Sequence, residues 1–222
     1  MNELLNKIAV CVERGKVNIK SPYPPDLKGQ EGVDELTKAA LDAGISAQDL
    51  LEQGLIEGMK AIGARFRRDE VFVPDVLMAA KAMKTGMAHI RPYFQSGEVK
   101  RRGTFIIGTV AGDMHDIGKN LVAMVAEGGG YEVIDLGIDV PTEKFLDAAA
   151  EKPDAVVGLS ALLTTTMTNM AETVRAMKAK NPATRIMVGG APVTEHFAHE
   201  IGADCYSADP QGAVDYLNRV MA

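Results

Sequence analysis

Residues 104–127 read TFIIGTVAGDMHDIGKNLVAMVAE, and the succession of patterns in this stretch decides the fold. Residues 104–110 form a short apolar run rich in β-branched side chains, which predicts a buried strand. Residues 119–127 repeat apolar side chains at helical spacing. The motif between them, Gly112–Gly118, is therefore predicted to be the loop that leaves the carboxyl end of a parallel strand. Ligands bind at that edge of open α/β sheets.

The alternation of strand and helix continues to the end of the chain. Strands are predicted at residues 105–110, 131–136, 155–160 and 186–188, with a weaker one at 204–207. Helices are predicted at residues 117–127, 142–151, about 166–180, 194–201 and 210–221. Five such units predict a Rossmann-like (flavodoxin-like) α/β domain, in which helices cover both faces of a five-stranded parallel sheet.

The first half of the chain has a different pattern. Apolar residues recur at helical spacing in four segments that are separated by loops, and the loop over residues 17–32 is rich in proline. The sequence therefore predicts two domains. A four-helix bundle is expected in residues 1–93, a polar linker in residues 94–103, and the α/β domain in residues 104–222.

Composition argues against several classes of function. The formal net charge of −6 disfavours a nucleic-acid partner. No apolar run is long enough to cross a membrane, and no secretory signal is visible at the N-terminus. Cys11 and Cys205 lie far apart and outside any Cys-x-x-Cys pattern. Two reduced thiols in a cytoplasmic protein are the preferred interpretation.

His115 is the candidate for metal chemistry in the motif loop. A histidine that ligates a metal usually donates its other ring N–H to a carboxylate or carbonyl, and Asp113 can reach the ring. From the spacing alone, a loop histidine that is simply hydrogen-bonded to an acid is favoured by a modest margin. One ligand is too few for structural zinc, and only Asp116 offers a possible second. A metal bound by His115 is therefore expected to arrive inside a cofactor that fills its other positions.

His196 and His199 share one face of a predicted helix. This spacing is compatible with zinc, but no third ligand is evident, so a solvated helix face is the preferred interpretation. No serine lies in a Gly-x-Ser-x-Gly pattern, and Ser–His–Asp nucleophilic chemistry is not expected.

Two further strand ends carry small or polar residues. Ser160–Thr166 puts four hydroxyl groups after the third strand, and Gly189–Ala191 leaves bare backbone after the fourth. Small residues allow close approach of a flat or long ligand, although Gly, Ser and Thr are also ordinary turn residues. Because these strand ends share the sheet edge with His115, together they favour a site for a large ligand.

The same residues resemble the cobalamin-binding signature Asp-x-His-x-x-Gly, Ser-x-Leu, Gly-Gly. The matching motifs are Asp113-x-His115-x-x-Gly118, Ser160-x-Leu162 and Gly189-Gly190. The helical half, with Phe66 followed by VFVPDV at residues 71–76, resembles the four-helix cap of cobalamin-dependent methionine synthase and of small corrinoid proteins. The resemblance covers nearly the whole chain. It points to the corrinoid proteins of three-component systems that demethylate methanol, methylamines, betaines or aryl methyl ethers.

The resemblance implies a role for each matching residue. His115 would be the lower axial ligand of cobalt, replacing the benzimidazole base of the cofactor, and Asp113 and Ser160 would complete a His–Asp–Ser relay. The displaced base would enter a pocket between the third and fourth strand ends. The implied cofactor-binding residues are Gly112, Asp113, Met114, His115, Asp116, Ile117, Gly118, Ser160, Leu162, Thr164, Thr166, Gly189, Gly190, Ala191, Tyr206 and Ala208.

The resemblance also implies a function. Such a protein carries a methyl group on the cobalt of methylcobalamin, cycling between methyl-Co(III) and Co(I), and is not catalytic alone. It would accept the methyl group from a substrate-specific methyltransferase and pass it to a second methyltransferase with a folate or thiol acceptor. A reductive activase is a possible further partner. Phe66, Val73 and Val76 would cap the upper face of cobalt, where the methyl group sits.

Three other interpretations stay open. A cobalamin-binding sensor would lack methyl-carrier activity, but known sensors of this kind add a DNA-binding domain that has no counterpart here. A mutase subunit normally lacks the helical cap, and a flavodoxin-like module without cobalt would be colourless. The chain also departs from the family pattern in one place, because residues 17–32 replace a short acidic turn with a longer, proline-rich loop.

Overall fold

The computed structural model describes residues 2–221 of the 222-residue chain. These residues form two compact units. The first comprises the described residues up to Arg101 together with Gly128–Gly130, and the second comprises Arg102–Glu127 and the described residues from Tyr131 onward. The first unit is helical and the second is α/β, as predicted from the sequence.

Four helices build the first unit. They are α1 (Glu3–Glu13), α2 (Val33–Asp42), α3 (Ala47–Asp49, Leu50–Ile56 and Glu57–Arg67 in continuous succession) and α4 (Val73–Ser96). The middle segment of α3 is π-helical, a feature that the sequence pattern does not predict. A 3₁₀ turn at Pro25–Leu27 lies in the loop between α1 and α2.

Glycines in α3 allow α1 to pack closely against it. A Cβ atom on Gly58 would lie 2.5 Å from the carbonyl oxygen of Ala9 and 2.6 Å from Cβ of Val12. A Cβ atom on Gly54 would lie 3.2 Å from a methyl group of Ile8. The close approach buries the apolar face of α1, which includes Leu5, Ile8 and Val12.

Helix α4 begins and ends at recognisable caps. The Asp75 carboxylate accepts the backbone N–H of Phe72 over 2.9 Å, which satisfies a donor that the first turn leaves unpaired. The helix then continues through Pro92 to Ser96, three residues into the segment predicted as a linker. It ends at Gly97, whose φ of 81° suits a left-handed helix cap.

The proline-rich loop of residues 17–32 is tied to the helices around it. Lys16, at its start, is fully buried, and its Nζ donates to the carbonyl oxygen of Ser21 over 3.0 Å. The hydroxyl of Tyr23 donates to Asp75 over 2.7 Å. The Arg14 guanidinium pairs with the Asp26 carboxylate through two hydrogen bonds of 2.8 and 2.9 Å. These contacts fix the loop against α1 and the start of α4.

The second unit is a five-stranded parallel sheet with helices between successive strands. In chain order its elements are β1 (Thr104–Thr109), α5 (Ile117–Gly128), β2 (Glu132–Asp135), α6 (Thr142–Glu151), β3 (Val156–Ser160), α7 (Met167–Lys180), β4 (Arg185–Gly189), α8 (Glu195–Ile201), β5 (Cys205–Tyr206) and α9 (Pro210–Met221). The strand order is β2-β1-β3-β4-β5. The order reverses between β1 and β3, so their carboxyl ends form the crevice in which ligands bind.

The strand register brings the predicted site segments to one edge. Thr109 pairs with Ser160, Ser160 pairs with Gly189, and Val188 pairs with Tyr206. The strands rest on a buried apolar layer that holds this edge in place. Its members include Ile106, Val157, Leu159, Ile186 and Val188 from strands and Phe145, Met170, Val174 and Met177 from helices.

Within residues 2–221, no helix is both long enough and apolar enough to cross a membrane.

Candidate functional site

The motif loop runs from the end of β1 to the start of α5 and carries His115. Gly112 adopts a φ of 80°, a left-handed conformation that glycine accepts without steric cost. The buried hydroxyl of Thr109 donates to the carbonyl oxygen of His115 over 2.9 Å. The side-chain amide of Asn169 donates to the carbonyl oxygen of Ala111 over 2.7 Å. The loop backbone is thus held by side chains from β1 and α7, and the sequence pattern gives no signal for either contact.

His115 is oriented by Asp113. Oδ1 of Asp113 accepts Nδ1–H of the ring over 2.8 Å and the backbone N–H of His115 over 3.1 Å. A carboxylate can only accept, so the bond assigns the ring proton to Nδ1 and leaves the lone pair on Nε2 of the neutral ring. The Asp113 side chain is fully buried, whereas half of the His115 side chain is exposed. The ring is therefore anchored at one nitrogen and available at the other.

The second oxygen of Asp113 is also fully engaged. Oδ2 accepts the backbone N–H groups of Leu162 and Leu163 over 2.7 and 3.2 Å and the hydroxyl of Thr166 over 2.7 Å. Burial raises the pKa of Asp113. The hydrogen bonds from Leu162, Thr166 and His115 outweigh that effect and hold the pKa well below its usual range. Asp113 is thus a buried acceptor that is charged at neutral pH and joins the loops after β1 and β3.

The structure corrects one member of the predicted relay. The hydroxyl that contacts Asp113 belongs to Thr166, whereas the Ser160 hydroxyl makes no hydrogen bond to any part of the chain within residues 2–221. Ser160 is the last residue of β3, and its direction is set by the sheet. The chain then turns, and Thr166 is the residue directly before α7. The path of that turn decides which hydroxyl reaches Asp113.

Two glycines at the end of β4 occupy positions where a side chain would not fit. Gly190 has a φ of 130°, and a Cβ atom there would lie 1.8 Å from the carbonyl oxygen of Ala161. A Cβ atom on Gly189 would lie 2.9 Å from the carbonyl oxygen of Ser207. The backbones after β3, β4 and β5 therefore approach each other closely. Of the other predicted residues on this side, Thr164, Ala191 and Ala208 are exposed and Tyr206 is half-buried in β5.

Large apolar side chains lie exposed around His115. Met114 and Ile117 in the motif loop are 65% and 72% exposed, and Leu162 and Leu163 after β3 are each 41% exposed. Ile138, after β2, is 37% exposed. Isolated exposed apolar residues are ordinary, but a group on one sheet edge marks a surface that a ligand or partner covers.

The described residues offer no complete metal site made by protein alone. Across residues 2–221, no group of three or more His, Cys, Asp or Glu side chains has the geometry to hold a metal ion. His196 and His199 lie exposed on α8. Asp116 instead accepts the side-chain amide of Asn120 over 3.0 Å. Any metal at His115 would thus need its remaining ligands from outside the described residues.

The predicted cap residues belong to the helical unit. Phe66 is half-buried near the end of α3, Val73 is half-buried at the start of α4, and Val76 is buried. Phe72, which is not among the predicted cap residues, is 70% exposed and is the most exposed large apolar side chain in its part of the described chain.

Comparison with known proteins shows the family of the chain. Residues 103–214 match a B12 binding domain family, and residues 30–91 match a second one. The chain is 41% identical over 197 residues to trimethylamine corrinoid protein 1 of Methanosarcina acetivorans, covering 87% of this chain and 90% of that protein.

Solved structures are similar over the same length. A cobalamin-binding protein from Desulfitobacterium hafniense DCB-2 superposes with a TM-score of 0.78 and 31% identity, covering 98% of each chain. A chain of the methanol:cobalamin methyltransferase complex of Methanosarcina barkeri superposes with a TM-score of 0.81 and 28% identity, covering 99% of this chain and 80% of that chain.

The fold and the family matches define a cobalamin-binding protein. More specifically, the chain belongs to the family of corrinoid proteins associated with methylamine and methanol methyltransferase systems. Its cofactor is a corrinoid. The residues present fit that group, because Nε2 of His115 is available, apolar side chains surround it, and Gly190 keeps the adjacent backbone free of a side chain.

Proposed function

We propose that this protein carries a methyl group on the cobalt of its bound corrinoid. It receives the group from a substrate-specific methyltransferase and delivers it to a second methyltransferase whose acceptor is a folate or a thiol. The observation that carries the proposal is the His115–Asp113 pair, which holds one ring nitrogen and leaves the other for a metal. The names of the relatives, which refer to trimethylamine and methanol systems, support the same role.

In this proposal His115 would hold the cobalt of the corrinoid through Nε2 and would be the only cobalt ligand from the protein. When bound, the corrinoid supplies a cobalt ion that accepts the methyl group as Co(I) and releases it from Co(III). The protein contributes the orientation of the ring. Nδ1–H of His115 is fixed by Asp113, and the tautomer that results presents an unprotonated Nε2.

The His115–Asp113 pair also takes part in proton uptake in this proposal. A neutral imidazole ligates a metal and an imidazolium cannot, so Nε2 of His115 would take up a proton when it does not hold the metal. The buried Asp113 carboxylate stabilises the positive charge that results. Thr166 and the N–H groups of Leu162 and Leu163 keep that carboxylate ionised and immobile. The relay of this protein is therefore His115–Asp113–Thr166.

In this proposal residues at the ends of β3, β4 and β5 would hold the base of the cofactor. Bare backbone at Gly189 and Gly190 leaves space beside the loop that begins at Ser160. The proposed lining of this pocket consists of Ser160, Leu162, Thr164, Gly189, Gly190, Ala191, Tyr206 and Ala208.

In this proposal residues of the helical unit would shield the bound cofactor from water. We assign this role to Phe66, Val73 and Val76, together with the exposed ring of Phe72. Apolar side chains exclude water from a reactive centre. A reductive activase is a further partner in this scheme.

The proposal is tested by methyl transfer with a panel of donors. Purified protein loaded with reduced corrinoid is incubated with candidate methyltransferases and methanol, methylamines, betaines or aryl methyl ethers, and methylation is followed by the visible spectrum. At least one donor and enzyme pair is expected to methylate the bound cofactor, and His115→Gly is expected to slow the transfer. The matched control is His199→Gln, on the exposed face of α8. Failure of every pair, with cofactor bound, would contradict the carrier role.

A further inference from the structure

Asp139 has an unusual backbone conformation beside the cofactor motif. It lies between β2 and α6 and adopts a φ of 51°. Among residues 2–221, the only other non-glycine residue with positive φ is Asp69. Left-handed conformations are uncommon for residues with a Cβ atom and persist where surrounding contacts determine them. The conformation of Asp139 therefore calls for a contact that maintains it.

Two hydrogen bonds join Asp139 to the motif loop. The backbone N–H of Gly112 donates to Oδ1 of Asp139 over 2.7 Å. The backbone N–H of Asp139 donates to the carbonyl oxygen of Asp113 over 3.0 Å. We call this pair of bonds the Asp139 clamp. The Asp139 clamp holds the N–H of Gly112 and the carbonyl oxygen of Asp113, so it fixes the backbone of the residue that orients His115.

The segment that carries Asp139 is itself firmly placed. The backbone N–H of Thr109 donates to the carbonyl oxygen of Gly137 over 3.0 Å, and the N–H of Val140 donates to the carbonyl oxygen of Thr109 over 2.9 Å. Val140 is buried. Asp139 thus projects from a segment bound along the end of β1, and it transmits that fixed position to Asp113.

We infer that Asp139 is a positioning residue for the His115–Asp113 pair. Its hydrogen bonds go to the backbone of the motif loop, and none joins it to the ring of His115 or the carboxylate of Asp113. It acts through the backbone of Gly112 and Asp113, and so sets the direction from which Nε2 meets cobalt. The inference rests on the proposed ligation of cobalt by His115. Alteration of a group hydrogen-bonded to a metal ligand typically changes metal affinity 10- to 100-fold, and Asp139 acts through such a group, Asp113.

Three substitutions separate the carboxylate from the backbone conformation. Asp139→Asn keeps both an acceptor oxygen and the tolerance for positive φ. Asp139→Gly keeps the conformation but removes the acceptor, and Asp139→Ala removes both. Asp147→Asn, an exposed acid on α6, is the control. Each protein is titrated with methylcobalamin, and the visible spectrum at fixed pH gives both the dissociation constant and the fraction of bound cofactor with histidine ligation.

We expect Asp139→Gly to raise the dissociation constant by about 10-fold or more and to lower the histidine-ligated fraction. Asp139→Asn should stay within about threefold of the parent, as should the control. The inference is overturned if Asp139→Gly binds and ligates like the parent. It is also overturned if the Gly and Ala variants lose affinity only in proportion to a lower unfolding temperature, with the spectrum of the bound fraction unchanged.

The two proposals fail in different ways. If His115→Gly leaves the spectrum of bound methylcobalamin unchanged, the ligand assignment of the proposed function is wrong. If His115→Gly changes that spectrum and Asp139→Gly does not, only the positioning role of Asp139 is wrong.

Discussion

Thr166 donates its hydroxyl hydrogen to Oδ2 of Asp113 over 2.7 Å, and both side chains are buried. The other oxygen of the same carboxylate accepts Nδ1–H of His115. A continuous chain of hydrogen bonds therefore runs from the start of α7 through Asp113 to the exposed ring of His115. The sequence motif predicts that Ser160 is the hydroxyl residue of this chain, whereas in the structure Thr166 makes the hydrogen bond to Asp113.

Replacement of Thr166 should reveal this contact. Thr166→Val removes the hydroxyl with little change of shape and leaves Oδ2 of buried Asp113 with one donor fewer. We expect the free energy of unfolding to fall by about 1–3 kcal/mol, because the bond involves a charged acceptor. Thr166→Ser should restore most of the loss, and Ser160→Ala should cost less than Thr166→Val. Urea denaturation followed by circular dichroism measures all three. If Ser160→Ala lowered the free energy of unfolding as much as Thr166→Val or more, Ser160 would be the hydroxyl residue of the relay.

Asp113 should make stability sensitive to acid. Its pKa in the folded protein lies below the ordinary value of about 4, so the unfolded chain takes up more protons as the pH falls past that value. The stabilisation from the carboxylate is complete above about pH 5 and is lost progressively as the pH falls through the region below about pH 4. Asp113→Asn should therefore lose less stability than the parent between neutral pH and about pH 3, as measured by urea denaturation at each pH. Parallel pH profiles for the two proteins would contradict the assignment, and Asp147→Asn provides the control.

Gly190 should tolerate no side chain. Its positive φ and the short distance that would separate an added Cβ atom from the Ala161 carbonyl oxygen act together. Gly202 is the matched comparison, since its φ is 82° but nothing lies within 4 Å of its Cβ position. Gly202→Ala should cost about 1–2 kcal/mol in free energy of unfolding, which is the backbone penalty alone. Gly190→Ala should cost about 4 kcal/mol or more, or prevent folding. Similar losses in the two variants would show that the backbone at Ala161 yields easily.

Tyr23 should stabilise the helical unit through Asp75. Tyr23→Phe removes the 2.7 Å hydrogen bond that joins the loop of residues 17–32 to the start of α4. We expect a loss of about 0.5–1.5 kcal/mol in free energy of unfolding. Tyr93→Phe is the control, because the Tyr93 hydroxyl has no hydrogen-bond partner within residues 2–221. If both variants lose the same amount, the contact with Asp75 contributes nothing specific.

The helices and strands could be predicted from the sequence because the patterns that indicate them are local. Each of the five strands ends within one residue of its predicted limits, since apolar runs of this length between turn residues have few other solutions. The end of helix α4 was harder to predict, because a proline such as Pro92 usually ends a helix and this helix continues to Ser96. The π-helical segment of α3 has no signature in the periodicity of apolar residues.

The site was predictable only as far as its motif residues. Asp113 and His115 are two residues apart, so their contact follows from local geometry. Thr166 and Asp139 reach the motif from distant parts of the sequence, and both contacts depend on the register of neighbouring strands and the path of a loop. The resemblance to a known signature names the strand end that carries Ser160, but not the hydroxyl that turns back toward Asp113.

The central claim is that His115 supplies the protein ligand to cobalt, and the most direct measurement is the visible spectrum of His115→Gly reconstituted with methylcobalamin. The spectrum should shift to that of the histidine-free cofactor, and added imidazole should restore the parent spectrum by occupying the space of the missing ring. His199→Gln should match the parent throughout. A His115→Gly protein that binds the cofactor with the parent spectrum in the absence of imidazole would contradict the account.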